Sequence, residues 1–251
     1  MGPSLSNKDK SVAWLDAPGN IRLIARGEDR GDPLQRAVPR LICGVSSQFG
    51  DEKLRWLRNM IWTNDHISRF EEHLVKVCAK RVRHAPELNP LPDRNWRIID
   101  VTTEVTLPGD AIIIPDFASP QAKDTVNALI TSSDGHQQTP RHQKNQPIAA
   151  LLVDGDNKPL LAARNTNLKC RMFHAEINLI QSLRLSGLTG FPDRTSLHVT
   201  LKPCRMCAAA ILDFAASSHG FHVYALSDQP GTMTRHKLLD GIMTVAQATE
   251  T

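Results

Sequence analysis

Two short motifs in the C-terminal half of the sequence combine side chains that bind metals and move protons. The first is His174-Ala175-Glu176, and the second is Pro203-Cys204-Arg205-Met206-Cys207. One imidazole and two thiolates suit a tetrahedral zinc ion and leave the fourth coordination position for water. The carboxylate, two residues beyond the histidine, is placed to reach that water rather than the metal. Zinc lowers the pKa of its water to about 7, so a nearby carboxylate can pass the proton to a leaving group.

The pattern therefore predicts an open site for one zinc ion per chain, with His174, Cys204 and Cys207 as ligands and Glu176 as the acid–base residue. A closed structural site is an alternative, because Cys170 lies four residues before His174 and would complete a Cys₃His set. A purely structural site has no use for the glutamate. An inactive member of an enzyme family is a second alternative, although no core catalytic residue is missing.

Both motifs stand at the start of predicted helices, over residues 175–185 and 204–214. The partial positive charge of a helix N-terminus helps to keep the two thiols ionised. A connection of about fifteen residues precedes the last strand, which indicates a crossover between parallel strands rather than a hairpin. Strands are predicted at 148–153, 160–163, 196–201, 220–226 and 242–246, with a short helix at 234–239 before the last strand.

The rest of the chain contains no chemical motif and no internal repeat. A polar stretch over residues 131–147 predicts an exposed loop, and a helix is predicted just before it over 121–130. We predict a smaller N-terminal α/β accessory domain over residues 1–117 and a zinc-binding domain over 118–251. Within the first, strands are predicted at 21–25, 40–45, 97–105 and 111–114, with helical sequence over 51–83 that is broken near residues 64–65.

Composition describes a globular protein of 251 residues, with 41% hydrophobic and 22% charged residues. The apolar runs are all shorter than the roughly 20 residues that span a bilayer, so we expect no membrane partner and a cytoplasmic location. Five cysteines, an odd number, favour metal binding or free thiols over a disulfide framework. The net charge of +4 permits an anionic partner without requiring one.

Basic residues border the predicted site and suit a substrate that carries phosphate. For each of them, an ordinary solvated surface charge is an equally good explanation. They are Arg164, Lys169, Arg171, Lys202 and Arg205.

The segments HAEINLI at 174–180 and LHVTLKPCRMCAAAIL at 197–212 resemble the cytidine deaminase superfamily, and within it the bacterial tRNA adenosine deaminase branch. The resemblance covers roughly half the chain. It implies a three-layer α/β/α domain with a five-stranded mixed sheet. It also implies a hydrolytic deaminase in which zinc-bound hydroxide attacks a nucleobase, with adenine preferred over cytosine and Glu176 as the proton shuttle.

The same resemblance implies that Asn165 and the backbone amide of Ala175 contact the substrate. Lys202 and Arg205, from the basic residues that border the site, are expected to lie near its phosphates. Phe173 could stack on a base, although packing in the core is the commoner role for such a residue. The expected substrate is a nucleotide or a single-stranded or loop nucleic acid, and related enzymes are commonly homodimers.

Three features depart from the tRNA branch. Lys202 replaces a glutamate, a C-terminal helix is not apparent, and the N-terminal domain has no counterpart. Two alternatives for function therefore stay open: a deaminase of free bases or nucleosides, and a non-catalytic zinc-binding module.

Overall fold

The computed structural model describes residues 11–28, 32–85, 96–113, 148–167, 170–228 and 234–245. The chain divides into two compact units, Met1–Thr106 and Leu107–Thr251. The boundary predicted between residues 117 and 118 lies outside the described residues. The strand predicted at 111–114 is present as Ile112–Ile113, but it pairs within the second unit rather than the first.

The first unit is a five-stranded sheet with two α-helices. The helix α1 spans Ala37–Lys53 and contacts the three central strands, and α2 spans Arg69–Cys78. The strand order is β4-β3-β1-β2-β5, with β1 antiparallel to β2 and β3, and with the pairs β2–β5 and β3–β4 parallel. The strands are β1 Val12–Ala17, β2 Ile21–Arg26, β3 Met60–Thr63, β4 Arg81–His84 and β5 Arg97–Asp100.

Two predictions for this unit are wrong. Residues 40–45 form part of α1 instead of a strand, because the run contains buried residues such as Leu41, Ile42 and Val45, which face the sheet from a helix. A short apolar run fits a buried helix and a buried strand equally well. Within the stretch predicted as helical over 51–83, residues 51–53 end α1, residues 54–58 form a 3-10 helix and residues 69–78 form α2, whereas 60–63 and 81–84 are strands.

Gly44 allows α1 to approach the chain just beyond β5. A Cβ atom at this position would lie 1.9 Å from the Val101 carbonyl oxygen. We therefore expect Gly44→Ala to lower the free energy of unfolding by about 1–3 kcal/mol through overpacking, even though alanine improves helix propensity by about 1 kcal/mol. Urea unfolding followed by tryptophan fluorescence measures the change, because all four tryptophans lie before residue 107.

The matched control is Gln48→Ala, an exposed position of the same helix. Its stability should stay close to that of the wild type. Equal stabilities for Gly44→Ala and Gln48→Ala would contradict the close approach.

The second unit is a six-stranded sheet that carries both motif helices. Its order is β11-β10-β9-β7-β8-β6, in which β7 is antiparallel to β8 and β9, and β9, β10 and β11 are mutually parallel. The helices α3 Ala175–Leu185 and α4 Arg205–Ala215 contact each other, and α3 also contacts β7 and β8. The strands are β6 Ile112–Ile113, β7 Ala149–Val153, β8 Pro159–Arg164, β9 Ser196–Val199, β10 His222–Ala225 and β11 Met243–Val245.

The five strands predicted from the sequence are all present, and the parallel orientation of the last one is confirmed. The strand β6 adds a sixth. The α/β class is confirmed for both units, whereas the helix predicted at 121–130 lies outside the part of the chain that the structure describes. The helix predicted at 234–239 is wrong, because these residues form turns. Six residues are too few to stabilise a helix by themselves, and His236 instead contacts the second motif.

Candidate metal and active site

The three predicted metal ligands meet in one cluster. His174 Nδ1 lies 3.6 Å from Cys204 Sγ and 3.5 Å from Cys207 Sγ, and the two sulfur atoms are 3.6 Å apart. Zinc bonds to sulfur at about 2.3 Å and to imidazole nitrogen at about 2.0–2.1 Å, so tetrahedral ligands lie about 3.6 Å (nitrogen to sulfur) and about 3.8 Å (sulfur to sulfur) apart. The donor triangle therefore has the size that a tetrahedral zinc ion requires.

The ends of two helices produce this triangle. His174 is the N-cap of α3 and Cys204 is the N-cap of α4, and neither side chain makes a capping hydrogen bond. Cys207 lies three residues after Cys204, so both thiols project from one side of the first turn of α4. Contact between α3 and α4 brings the imidazole to the thiol pair.

The electrostatics of the two thiols fit metal binding. The neighbouring Cys207 thiol and the His174 ring lower the pKa of Cys204 well below its ordinary value. Burial raises the pKa of Cys207, and the proximity of Cys204 raises it further. Two buried thiols this close cannot both ionise without a cation, and a metal ion supplies that positive charge.

Glu176 lies in the first turn of α3 and is only 3% exposed. Its Oε2 atom has no hydrogen-bond partner among the described residues. Burial raises the pKa of this carboxyl group, against the lowering effect of the His174 ring. A buried oxygen without a partner is costly, and a water molecule held at the neighbouring metal position would satisfy it.

Cys170 is buried but lies outside the ligand cluster. The group of described residues whose ligand atoms come within 4.8 Å of one another contains His174, Cys204 and Cys207 alone. This arrangement supports the open zinc site over the closed Cys₃His alternative.

The residues predicted to bind substrate fall into two groups. Asn165, Phe173 and Ala175 are buried, and the Thr166 backbone N–H donates to the Phe173 carbonyl at 2.9 Å. This hydrogen bond ties the end of β8 to the turn before His174. The Phe173 ring is 4% exposed, which leaves little of it for stacking on a base and favours the core-packing interpretation.

The basic residues predicted to border the site are only partly exposed. Arg164 pairs with Asp110 at 3.2 Å, and Lys202 lies 3.8 Å from Asp228. Arg205, the first residue of α4, is half-buried. Arg171 is exposed, and Lys169 lies outside the described residues. Two of these charges are therefore already balanced within the unit.

Sequence reasoning missed Asn178, which links the substrate-side strand to α3. Its Nδ2 atom donates to the Arg164 carbonyl at 2.8 Å and to Thr166 Oγ1 at 2.9 Å, and the residue is fully buried. These bonds hold the backbone on both sides of Asn165. A single amide inside the otherwise apolar run Ile177–Ile180 was the available signal.

Removing this amide is expected to destabilise the second unit. Asn178→Ala should lower the free energy of unfolding by about 1–3 kcal/mol, because the Thr166 hydroxyl and the Arg164 carbonyl would stay buried without this donor. Urea unfolding followed by circular dichroism measures the loss. Leu185→Ala on the same helix is the control, since Leu185 is 69% exposed and its truncation should be nearly neutral. A neutral Asn178→Ala would show that the amide bonds contribute nothing.

Comparison with known families agrees with this geometry. Residues 139–245 match the model of the Bd3614-like deaminases. The matched residues belong to the second unit, which contains both motifs. The predicted resemblance to the cytidine deaminase superfamily, and to its tRNA adenosine deaminase branch, is confirmed.

Two similar proteins are tRNA-specific adenosine deaminases. That of Rickettsia bellii is 36% identical over 73 residues, and that of Rickettsia felis is 35% identical over 79 residues. Each match covers 27% of this chain and 50% of the relative. The chain therefore spans about half the length of the curated relatives it matches.

Solved structures that are similar to part of this chain include two deaminases. A tRNA:A34 deaminase studied for A-to-I editing at the wobble position is 27% identical, with 43% of this chain and 75% of that chain covered and a TM-score of 0.34. The guanine deaminase of Nitrosomonas europaea is 18% identical, with 49% and 70% covered and a TM-score of 0.31. Among the described residues, no helix is long and apolar enough to cross a membrane.

Proposed function

We propose that the second unit is a zinc-dependent hydrolytic deaminase that acts on an adenine base within a nucleic acid. The observation that carries the proposal is the unpartnered Oε2 of the buried Glu176 beside a donor triangle of zinc dimensions. A closed structural zinc site would not need a buried carboxylate at this position.

His174, Cys204 and Cys207 would hold the ion. When bound, zinc makes water an effective nucleophile at neutral pH. Glu176 would take one proton from the attacking water and give it to the ring nitrogen beside the amine-bearing carbon. It would carry the second proton of the water to the amine, so that ammonia leaves and the oxygen of the water stays on the ring as a carbonyl group. Burial raises the pKa of this carboxyl group, which favours its acting as an acid as well as a base.

The polymeric substrate is supported by the relatives, whose names specify tRNA. A base must leave its stack to reach a buried zinc site, so single-stranded and loop segments are the expected targets. Asn165 and the Ala175 amide would contact the nucleoside, while Lys202 and Arg205 would lie near its phosphates. Arg171 is an exposed cation of this set and would contact the backbone of a longer substrate.

Ammonia release from a substrate panel tests the proposal. The panel contains unmodified tRNA, single-stranded RNA and DNA oligonucleotides with adenine or cytosine targets, and free adenosine and cytidine. We expect release from adenine-containing polymers and little from free nucleosides. Release from free nucleosides alone would overturn the polymer assignment, and faster release from cytosine targets would overturn the base assignment. No release from any substrate by zinc-loaded protein would favour the non-catalytic zinc module.

The homodimer and the cytoplasmic location expected from the sequence stay predictions.

A further inference from the structure

The segment over residues 234–242, directly before β11, reaches back to the second motif. His236 Nε2 lies 2.8 Å from the carbonyl oxygen of Pro203, the residue directly before the ligand Cys204. Two further contacts run beside it: the Lys202 backbone N–H donates to the Ser227 carbonyl at 2.8 Å, and Lys202 Nζ lies 3.8 Å from Asp228 Oδ2. The stretch ahead of Cys204 is therefore held by residues that lie more than twenty positions later in the chain.

The hydrogen bonds of His236 determine its tautomer. The Leu238 backbone N–H donates to His236 Nδ1 at 3.3 Å, so Nδ1 is an acceptor. A carbonyl oxygen can only accept, so Nε2 carries the ring proton and donates it to Pro203. His236 is thus a neutral imidazole whose two nitrogens are both used, one to order its own turn and one to hold the motif.

This hydrogen bond affects Cys204 because the accepting oxygen belongs to the peptide group between Pro203 and Cys204. The Pro203 carbonyl and the Cys204 N–H belong to the same peptide group, which is planar and trans. A donor fixed at the oxygen therefore fixes the direction of the Cys204 N–H, which lies in the same plane and points the opposite way. Hydrogen bonding at the oxygen also polarises the group, which strengthens the N–H as a donor.

We propose that His236 is a positioning residue of the metal centre, which holds the Pro203–Cys204 peptide plane and thereby orients both the Cys204 thiolate and its backbone N–H. This inference rests on the proposed function, because it assigns Cys204 to the zinc ligand set. It also accounts for the absence of a helix at 234–239: the turn conformation is what lets the imidazole reach the motif.

Three variants of His236 distinguish the effect of the donated hydrogen bond from the effect of side-chain volume. Glutamine can place an amide N–H near the position of Nε2, whereas asparagine reaches only the position of Nδ1, and alanine provides no donor. Residues that hydrogen-bond to metal ligands and orient them typically contribute about 10–100-fold in metal affinity or activity. We expect zinc release to a chelator to become about 10-fold faster in His236→Ala and His236→Asn, with His236→Gln within about 3-fold of the wild type.

Cobalt substitution supplies a readout that does not depend on substrate. The visible and thiolate charge-transfer bands of the Co²⁺-loaded protein should shift in His236→Ala and His236→Asn and return in His236→Gln. His222→Gln is the matched control, because His222 Nε2 lies 2.9 Å from Thr244 Oγ1 in the same unit and no described contact joins it to the motif. Its zinc release and cobalt spectrum should equal those of the wild type.

The outcomes distinguish this inference from the proposed function. If the wild type binds zinc and all three His236 variants release it at the wild-type rate with unchanged cobalt spectra, the positioning role is overturned and the zinc site stands. Equal impairment in all three variants, with no rescue by glutamine, also overturns it, since bulk rather than the donated proton would then matter. A wild-type protein that binds no zinc overturns the proposed function itself. Rescue by glutamine in a protein without deaminase activity would support the positioning role alone.

Discussion

Replacing Glu176 by glutamine is expected to lower the rate of ammonia release by about 10²–10⁴-fold, the usual contribution of a positioned acid–base group. Glutamine keeps the size of the side chain and its buried position but cannot carry the proton. Because the proposed ligand atoms come from His174, Cys204 and Cys207, the variant should still bind one zinc ion per chain. Single-turnover deamination and zinc content, both measured on the same preparation, check the two halves of this expectation.

Asp213→Asn is the matched control for this change. Asp213 is an exposed acid on α4, so its replacement removes a carboxylate from the same unit without entering the buried site. Its activity should equal that of the wild type. A Glu176→Gln variant that retains activity within tenfold would contradict the proton-transfer role, and one that loses its zinc would assign the residue to the metal site instead.

Replacing Cys207 by alanine is expected to abolish zinc binding. This thiol is fully buried and lies within 3.6 Å of the other two ligand atoms, so its loss leaves only two donors. The decrease in zinc affinity should exceed about 10–100-fold, the range that is typical of replacing a residue that hydrogen-bonds to a metal ligand. Ligand binding to the folded state raises thermal stability, so zinc should raise the melting temperature of the wild type and leave that of the variant unchanged.

Cys170→Ala provides the comparison, because it removes a second buried thiol from the same unit. Truncating any buried side chain costs some stability, but here the melting temperature should still rise when zinc is added. If zinc no longer raised the melting temperature of Cys170→Ala, Cys170 would be a fourth protein ligand and the open-site proposal would be wrong. A preserved rise in Cys207→Ala would show that the metal is held elsewhere.

Local sequence was sufficient to predict side-chain placement where a short motif lies at the start of a helix. Two cysteines three residues apart at the start of a helix share one side of it, so spacing placed the thiols of Cys204 and Cys207 together, and the resemblance to the deaminases marked them as a ligand pair. The alternation and turn residues of the second unit predicted its five main strands, and the length of the connection before the last strand predicted that this strand is parallel to its neighbour.

The N-terminal unit was harder to predict, because fully buried segments are apolar throughout and show no alternation of apolar and polar residues. Leu41, Ile42 and Val45 form a run of apolar residues with the appearance of a strand, yet they belong to α1. Strand β3 was assigned to a helix, because its four residues are too few to establish a period of two. The sheet pairings that stabilise such short strands are not local in the chain.

Sequence alone therefore predicted the metal ligands and the acid–base residue, since the expected chemistry of His174, Glu176 and the thiol pair depends on residue type and short spacing. Only the tertiary structure decided that the imidazole and thiols form a triangle of zinc dimensions, that Cys170 stays outside it, and that Glu176 Oε2 has no hydrogen-bond partner among the described residues. The same is true of His236, thirty-three positions from Pro203. Such contacts depend on packing between elements, and nothing in the intervening residues specifies which side chains packing will bring together.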